Sequence, residues 1–189
     1  MARLRSINQQ ELMKATEELL LEKGYDGLHF KLLAERLGVG RSTIYEYFSN
    51  KDELVASYMV NLMNTLMEKC LKLDDSDPIQ QLKDLLTIFI SYSHIHKFIQ
   101  YIPHLKTAKT SEMERQIEKL DHDHRELFSI IVNMIKRGQS ENFLRTDLPP
   151  EIITSIFFNS IQIPRTLNVD PHDWSEKLFS VIFYGIKAR

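Results

Sequence analysis

The chain has a single cysteine, Cys70, in 189 residues. One thiol excludes an intrachain disulfide and a paired-cysteine metal knot, and it fits a reducing compartment. Glycine and proline number only six each. With no alternating β-branched runs either, the usual signals of strands and hairpins are missing, and the chain reads as all-α. No apolar run reaches the roughly 18 residues a membrane helix needs. The opening MARLRSINQQ lacks the apolar core of a signal peptide, so a cytoplasmic protein is expected, without a membrane partner. There is no repeat and no low-complexity segment. A nucleophile elbow, P-loop, HExxH or GxGxxG is also missing, so neither catalysis nor a cofactor is expected.

Charge of one sign is scarce as well. The net charge is −2. Residues 1–51 hold eight Lys/Arg against seven Asp/Glu, and the remaining 138 hold sixteen against nineteen. A nucleic-acid partner would be held by placed contacts and by two copies of the chain, not by bulk charge.

What is present is organised around Phe30–Phe48, FKLLAERLGVGRSTIYEYF. Phe30, Leu33, Ala34 and Leu37 recur at i, i+3, i+4 and i+7, one apolar face of a helix. Gly38 stops that helix, because glycine enters the left-handed region without a Cβ penalty. Val39 plugs the turn. Ile44 and Phe48 are the inward face of a second short helix, and Ala34 is the small residue that lets the two cross. Arg41, Ser42, Thr43, Tyr45 and Tyr47 are then expected outward or sideways. A face of Arg, Ser, Thr and Tyr donors suits phosphates and base edges. The stretch reads as a helix-turn-helix whose second helix enters a DNA major groove.

Before it, Ser6 as N-cap with Gln9 at N3 starts a first helix that runs to about Lys23 and ends at Gly24. Arg3 and Arg5 form a short basic arm. After it, Asn50 as N-cap with Glu53 at N3 starts a long helix. Its free N–H groups and Lys51 make an anion site suited to a phosphate.

From Leu12 to Leu54 the sequence resembles the DNA-binding domain of the TetR family of bacterial transcriptional regulators. Leu33-Ala34 and Gly38-Val39 stand at that family's apolar-Ala and Gly-Val pairs. Thr43-Ile44-Tyr45 and Tyr47-Phe48 follow its T-[LI]-Y-x-[HY]-F pattern, and Lys51 and Leu54 its K-x-x-L. His29 and Gly40 depart from the family's usual Ser/Thr caps, and Ser42 from a frequent Gly. Glycine costs only a few tenths of a kcal/mol against Ser at an N-cap, so the fold is not affected. Ser42 adds a hydroxyl to the DNA face.

Further along, Leu54 to Cys70 continue a helix to about Leu73, with Met59, Met63 and Met67 in one column. Asp77 and Pro78 start the next helix, and a short one around 98–102 ends at Pro103. Ser111 starts a long helix with Met113, Ile117, Leu120, His124, Leu127, Ile131 and Met134 on its inner face, closed by Gly138. Pro149-Pro150 and Asp170-Pro171 start the last two helices. Their apolar faces are too wide for one core contact, which suggests a subunit interface. In the TetR family the last two helices pair with their symmetry mates. The resemblance thus implies a homodimer, with Ile156, Phe158, Ile161, Trp174, Leu178 and Ile182 as the candidate interface.

The expected architecture is an N-terminal three-helix domain over 1–50 and a larger effector-binding and dimerisation domain over 51–189, about nine helices in all. Met63, Tyr92, His96, Tyr101, His104, Phe128 and Phe157 combine apolar walls with a few polar tips, as small-molecule pockets do. They are the candidate effector pocket, for a largely apolar ligand. The histidine pairs 94/96 and 122/124 are two apart and point to different faces. His122 and Glu126 share a face, but their charged surroundings read as solvated surface, so no metal is expected. The functional expectation is a repressor released from a near-palindromic double-stranded operator by a small-molecule effector. Arg41, Ser42 and Thr43 would read bases; Tyr45, Tyr47 and Lys51 would hold phosphates. The alternative is a protein-interaction adaptor that keeps the fold without specific DNA binding.

Overall fold

The structure is a computed structural model that describes residues 7–93, 110–163 and 169–187. Among these residues there are eight α-helices and no strand beyond one isolated antiparallel bridge, Leu144 to Lys187. The short helix expected around 98–102 lies outside the described residues. The chain divides into two compact units, Met1–Leu62 with Lys97–Leu120, and Met63–His96 with Asp121–Arg189. The division falls inside the fourth helix, whose Leu54, Val55 and Ala56 are fully buried.

In the first unit, α1 (Gln9–Gly27) starts two residues later than the Ser6 cap would place it. Asn8 is the N-cap: its side chain accepts from the Glu11 N–H at 2.8 Å, and Glu11 accepts from the Asn8 N–H at 3.3 Å. Asn caps as well as Ser, and a carboxylate at N3 also meets the positive end of the helix dipole, which Gln cannot do. The helix breaks at Gly24, with φ 69° and ψ −178°, a region essentially confined to glycine. Chain direction changes there, and Leu28 enters the core fully buried.

Helix α2 (Phe30–Leu37) buries Phe30, Leu33 and Ala34 and packs against both α1 and α3 (Arg41–Tyr45). Gly38 closes it in the left-handed region, φ 66° and ψ 36°, its N–H returning to the Ala34 and Glu35 carbonyls. Arg36 fastens α2 to α1 by two hydrogen bonds to the Glu22 carboxylate, 2.9 and 2.6 Å. The Arg36 guanidinium holds that carboxyl below its usual range. Helix α4 (Lys51–Leu71) starts as expected, with Asn50 accepting from the Glu53 N–H at 2.9 Å.

The second unit is built from the end of α4, α5 (Pro78–Ser91), the later turns of α6 (Ser111–Ser140), α7 (Pro150–Ser160) and α8 (Pro171–Ile186). Asp77 caps α5 and Asp170 caps α8, each with proline in the first turn. Leu82, Leu85, Leu86, Ile131, Ile135, Ile153 and Phe157 form the centre of its core, each at most 1% exposed. Cys70 is part of that core, and burial pushes its thiol up to about 12, which makes it unreactive at neutral pH.

Helix α6 corrects three expectations. Thr110, not Ser111, caps it, accepting from the Met113 N–H at 3.3 Å. Asp123 takes the buried place expected for His124, which is exposed. Gly138 does not end the helix, which runs to Ser140; the left-handed residue is Asn142, φ 61°. Gly138 is needed for space, since a Cβ there would lie 2.8 Å from Leu144 Cδ1.

Substituting Gly24→Ala should destabilise the protein by roughly 1–3 kcal/mol, the cost of a side chain in that backbone region. Urea denaturation checks this, and an unchanged midpoint would show that the turn relaxes to another conformation.

Candidate nucleic-acid interface

Helix α3 spans five residues. Ile44 is fully buried and Thr43 is 8% exposed, while Arg41, Ser42 and Tyr45 face outward. Thr43 was expected with the outward group. Residues advance about 100° per position, so Thr43 lies beside Ile44 on the packed side, and Arg41, Ser42 and Tyr45 share the other. The Tyr45 ring stands edge-on to Phe30, centroids 5.0 Å apart. Tyr47 is exposed, yet its hydroxyl donates to the Ile7 carbonyl, so it ties the start of the described chain to the end of the recognition segment. Arg3 and Arg5 lie outside the described residues.

Lys51 is half-buried at the start of α4. Its ammonium donates to the Tyr25 carbonyl at 3.2 Å and lies 4.1 Å from the centre of the Tyr25 ring. The Tyr25 hydroxyl donates in turn to the Asp52 carboxylate. Burial, and then the bonded Asp52 carboxylate, push the phenol well above its ordinary range, so it stays a neutral donor. Glu53 accepts from the Ser49 N–H at 3.0 Å and from the Thr110 hydroxyl at 3.4 Å. The helix start expected to be open to an anion therefore carries Asp52 and Glu53 in its first turn, with one N–H capped by Asn50. Lys51 is its one cation. Sequence reasoning placed Lys51 here but missed Tyr25 and Asp52, because only the Gly24 turn brings them together.

Met63, Tyr92, Phe128 and Phe157 of the candidate pocket lie in the second unit. Phe157 is fully buried, and Met63, Tyr92 and Phe158 pack against the same core. Phe158 meets Phe89, His124 and Phe128, with ring centroids 5.8, 5.0 and 6.5 Å apart. The Lys69 ammonium lies 5.0 Å from the centre of the Tyr92 ring. His96, Tyr101 and His104 lie outside the described residues. Thr154 is fully buried on α7, and its hydroxyl has no partner among the described residues. His122, Asp123 and Glu126 bring one ligand atom each within 4.8 Å of one another, His122 and Glu126 exposed and Asp123 buried.

The expected dimer face is largely spent on the unit's own core. Ile161, Leu178 and Ile182 are buried in it, and Phe158 and Trp174 pack against it. The apolar groups left open are Ile152, Ile156 and Ile163 along α7 and its exit, and Val181 and Tyr184 on α8, Val181 at 74% exposed. The wide faces read from the sequence are real; five of the six candidate interface residues lie in or against the unit's own core, and Ile156 stays open.

A short helix pinned by Ile44, preceded by a Gly-closed helix and followed by a long capped one, is a helix-turn-helix. Residues 12–58 match the profile of the bacterial regulatory proteins, tetR family. The chain is 24% identical over 173 residues to an HTH-type transcriptional regulator of Haemophilus influenzae, covering 80% of this chain and 92% of that one. It is 19% identical over 146 residues to the HTH-type transcriptional repressor KstR2 of Mycobacterium tuberculosis, covering 76% and 72%. The solved structure of KstR2, a ketosteroid transcriptional regulator, matches at a TM-score of 0.73 and 14% identity over 99% of this chain and 100% of that one. FadR of Bacillus subtilis, solved with stearoyl-CoA, matches at 0.67 and 17% over 95% and 100%. At these identities the structural likeness speaks for the fold. Among the described residues no helix is long and apolar enough to cross a membrane.

Proposed function

We propose that the chain is a cytoplasmic homodimeric repressor, without catalytic activity, that reads a near-palindromic operator with α3. The observation that carries this is the outward set Arg41, Ser42 and Tyr45 on a helix pinned by Ile44. Arg41 and Ser42 read base edges, Tyr45 and Lys51 hold phosphates, and Thr43 and Tyr47 serve packing and anchoring. Two copies would place their α3 helices in successive major grooves about 34–36 Å apart. The division of labour is 1–50, with Lys51 at the start of α4, for DNA and the rest of 51–189 for effector and partner copy. The copies meet through the uncovered α7 and α8 stripes, Ile152, Ile156, Ile163, Val181 and Tyr184.

The effector is a largely apolar molecule of the acyl-thioester or steroid class. The aromatic groups around Phe158 and the Thr154 hydroxyl, unsatisfied among the described residues, support an apolar ligand with one polar function. The stearoyl-CoA bound by FadR and the ketosteroid regulator KstR2 support the class. Such a ligand releases DNA only by binding the DNA-incompetent conformer more tightly than the other.

One observation favours an adaptor instead: Arg36 and Lys51, two cations of the first unit, are engaged within the chain. Genomic fragments selected on the purified protein separate the readings, since an adaptor enriches no palindrome. On the selected operator, Arg41→Ala should lose about 1–3 kcal/mol and relax sequence preference, the value of a bidentate arginine contact. Thr43→Val, which keeps the shape without the hydroxyl, should bind as the parent does; a loss as large as that of Arg41→Ala would return Thr43 to base reading. In sedimentation equilibrium the parent should have twice the chain mass, and Val181→Glu with Ile156→Glu should be monomeric; a dimer surviving both charges would place the interface elsewhere. Stearoyl-CoA should change the emission of Trp174, the one tryptophan, and release the operator. Silence to stearoyl-CoA in both readouts would remove long acyl thioesters from the effector class.

A further inference from the structure

The DNA-binding reading treats Lys51 as a phosphate ligand, yet its ammonium is already occupied in the free chain. It donates to the Tyr25 carbonyl at 3.2 Å and lies 4.1 Å from the centre of the Tyr25 ring. Tyr25 cannot swing away easily. Its hydroxyl is bonded to Asp52, the residue after Lys51, and its backbone follows Gly24, fixed at φ 69°. One residue of the α1 turn thus grips both of the first two residues of α4.

We propose that Tyr25 is a positioning residue for DNA binding, a ring-and-carbonyl rest that presents the Lys51 ammonium to a backbone phosphate. An ammonium has three N–H donors. The Tyr25 carbonyl takes one, and two are left for phosphate oxygens. The ring face attracts the cation without consuming a donor. A lysine chain otherwise samples many rotamers and loses that freedom on binding. Held over Tyr25, it has lost much of that freedom before DNA arrives. The rest also has to counter the unfavourable company of Asp52 and Glu53 in the same helical turn. Asp52 accepts from the Tyr25 hydroxyl, and Glu53 from the Ser49 N–H and the Thr110 hydroxyl.

This inference rests on the DNA-binding reading, and its test keeps the two apart. The full chain is titrated with a random-sequence duplex of about 30 base pairs over a salt series, where the slope of log affinity against log salt counts neutralised phosphates. Lys51→Ala should lower the slope by about one per chain. Tyr25→Leu should lower it similarly and weaken binding by roughly three- to tenfold, the scale of a lost exposed cation–π contact with its ordering. Adding Tyr25→Leu to Lys51→Ala should cost nothing further. A Tyr25→Leu that weakens both backgrounds by the same factor overturns the inference, because a merely structural tyrosine behaves so. Should Tyr25→Leu unfold, phenylalanine and then trifluorophenylalanine at position 25 keep the ring's shape while draining its π charge. Affinity should fall along that pair only when Lys51 is present, and equal affinity along it also overturns the inference. A parent chain that does not bind the duplex even at low salt rejects the DNA-binding reading itself.

Discussion

A helix of five residues cannot hold itself in water, since nucleation costs more than so few hydrogen bonds return. Helix α3 exists because Ile44 is fully buried and its carbonyl accepts the N–H groups of both Tyr47 and Phe48. Those two bonds curl the chain out of the helix while Ile44 stays inside. Everything the first unit presents to DNA follows from that one anchored side chain. With Ile44 inward, rotation about the helix sends Arg41, Ser42 and Tyr45 outward and draws Thr43 under cover. Ala34 makes the close crossing possible, and Gly38 sets where α2 ends and the turn begins.

The features set by local chemistry were legible from residues alone. Gly24 and Gly38, both at positive φ, and the Asn50, Asp77 and Asp170 caps stand where the sequence places them. These depend on neighbours within four residues. Where two local solutions compete, sequence reading is weaker. Ser6 with Gln9 and Asn8 with Glu11 are both credible starts, and the charged acceptor decides. Gly138 looks like a helix stop, but its reason is Leu144, six residues on, seated where a Cβ would be.

Faces were harder still. Periodicity says that α7 and α8 each carry more apolar surface than one contact can cover, but not which part meets the unit's own core. Leu178 and Ile182 go inward while Val181, between them, is left open. Only the packing of α8 on α5 separates them. The same limit hid the Tyr25 contact. Tyr25 and Lys51 are 26 residues apart, and no periodic pattern joins them; the break at Gly24 within α1 does.

The near-neutral charge of the first unit then has a structural meaning. Two of its described cations are fixed by partners within the chain. Arg36 is committed to Glu22 and cross-braces α1 to α2; Lys51 is seated on Tyr25. Charge fixed by partners contributes little long-range attraction, because each partner cancels or orients it. It contributes geometry instead. For a reader of DNA this shifts the burden from counter-ion release, which is blind to sequence, to the few groups that face out from α3. A single near-neutral head gains little long-range attraction, and doubling the heads restores affinity by effective concentration without adding charge. On the proposal that the uncovered apolar stripes on α7 and α8 join two copies, they complement the near-neutral reading head: the weaker the electrostatic hold of one copy, the more the binding depends on a second.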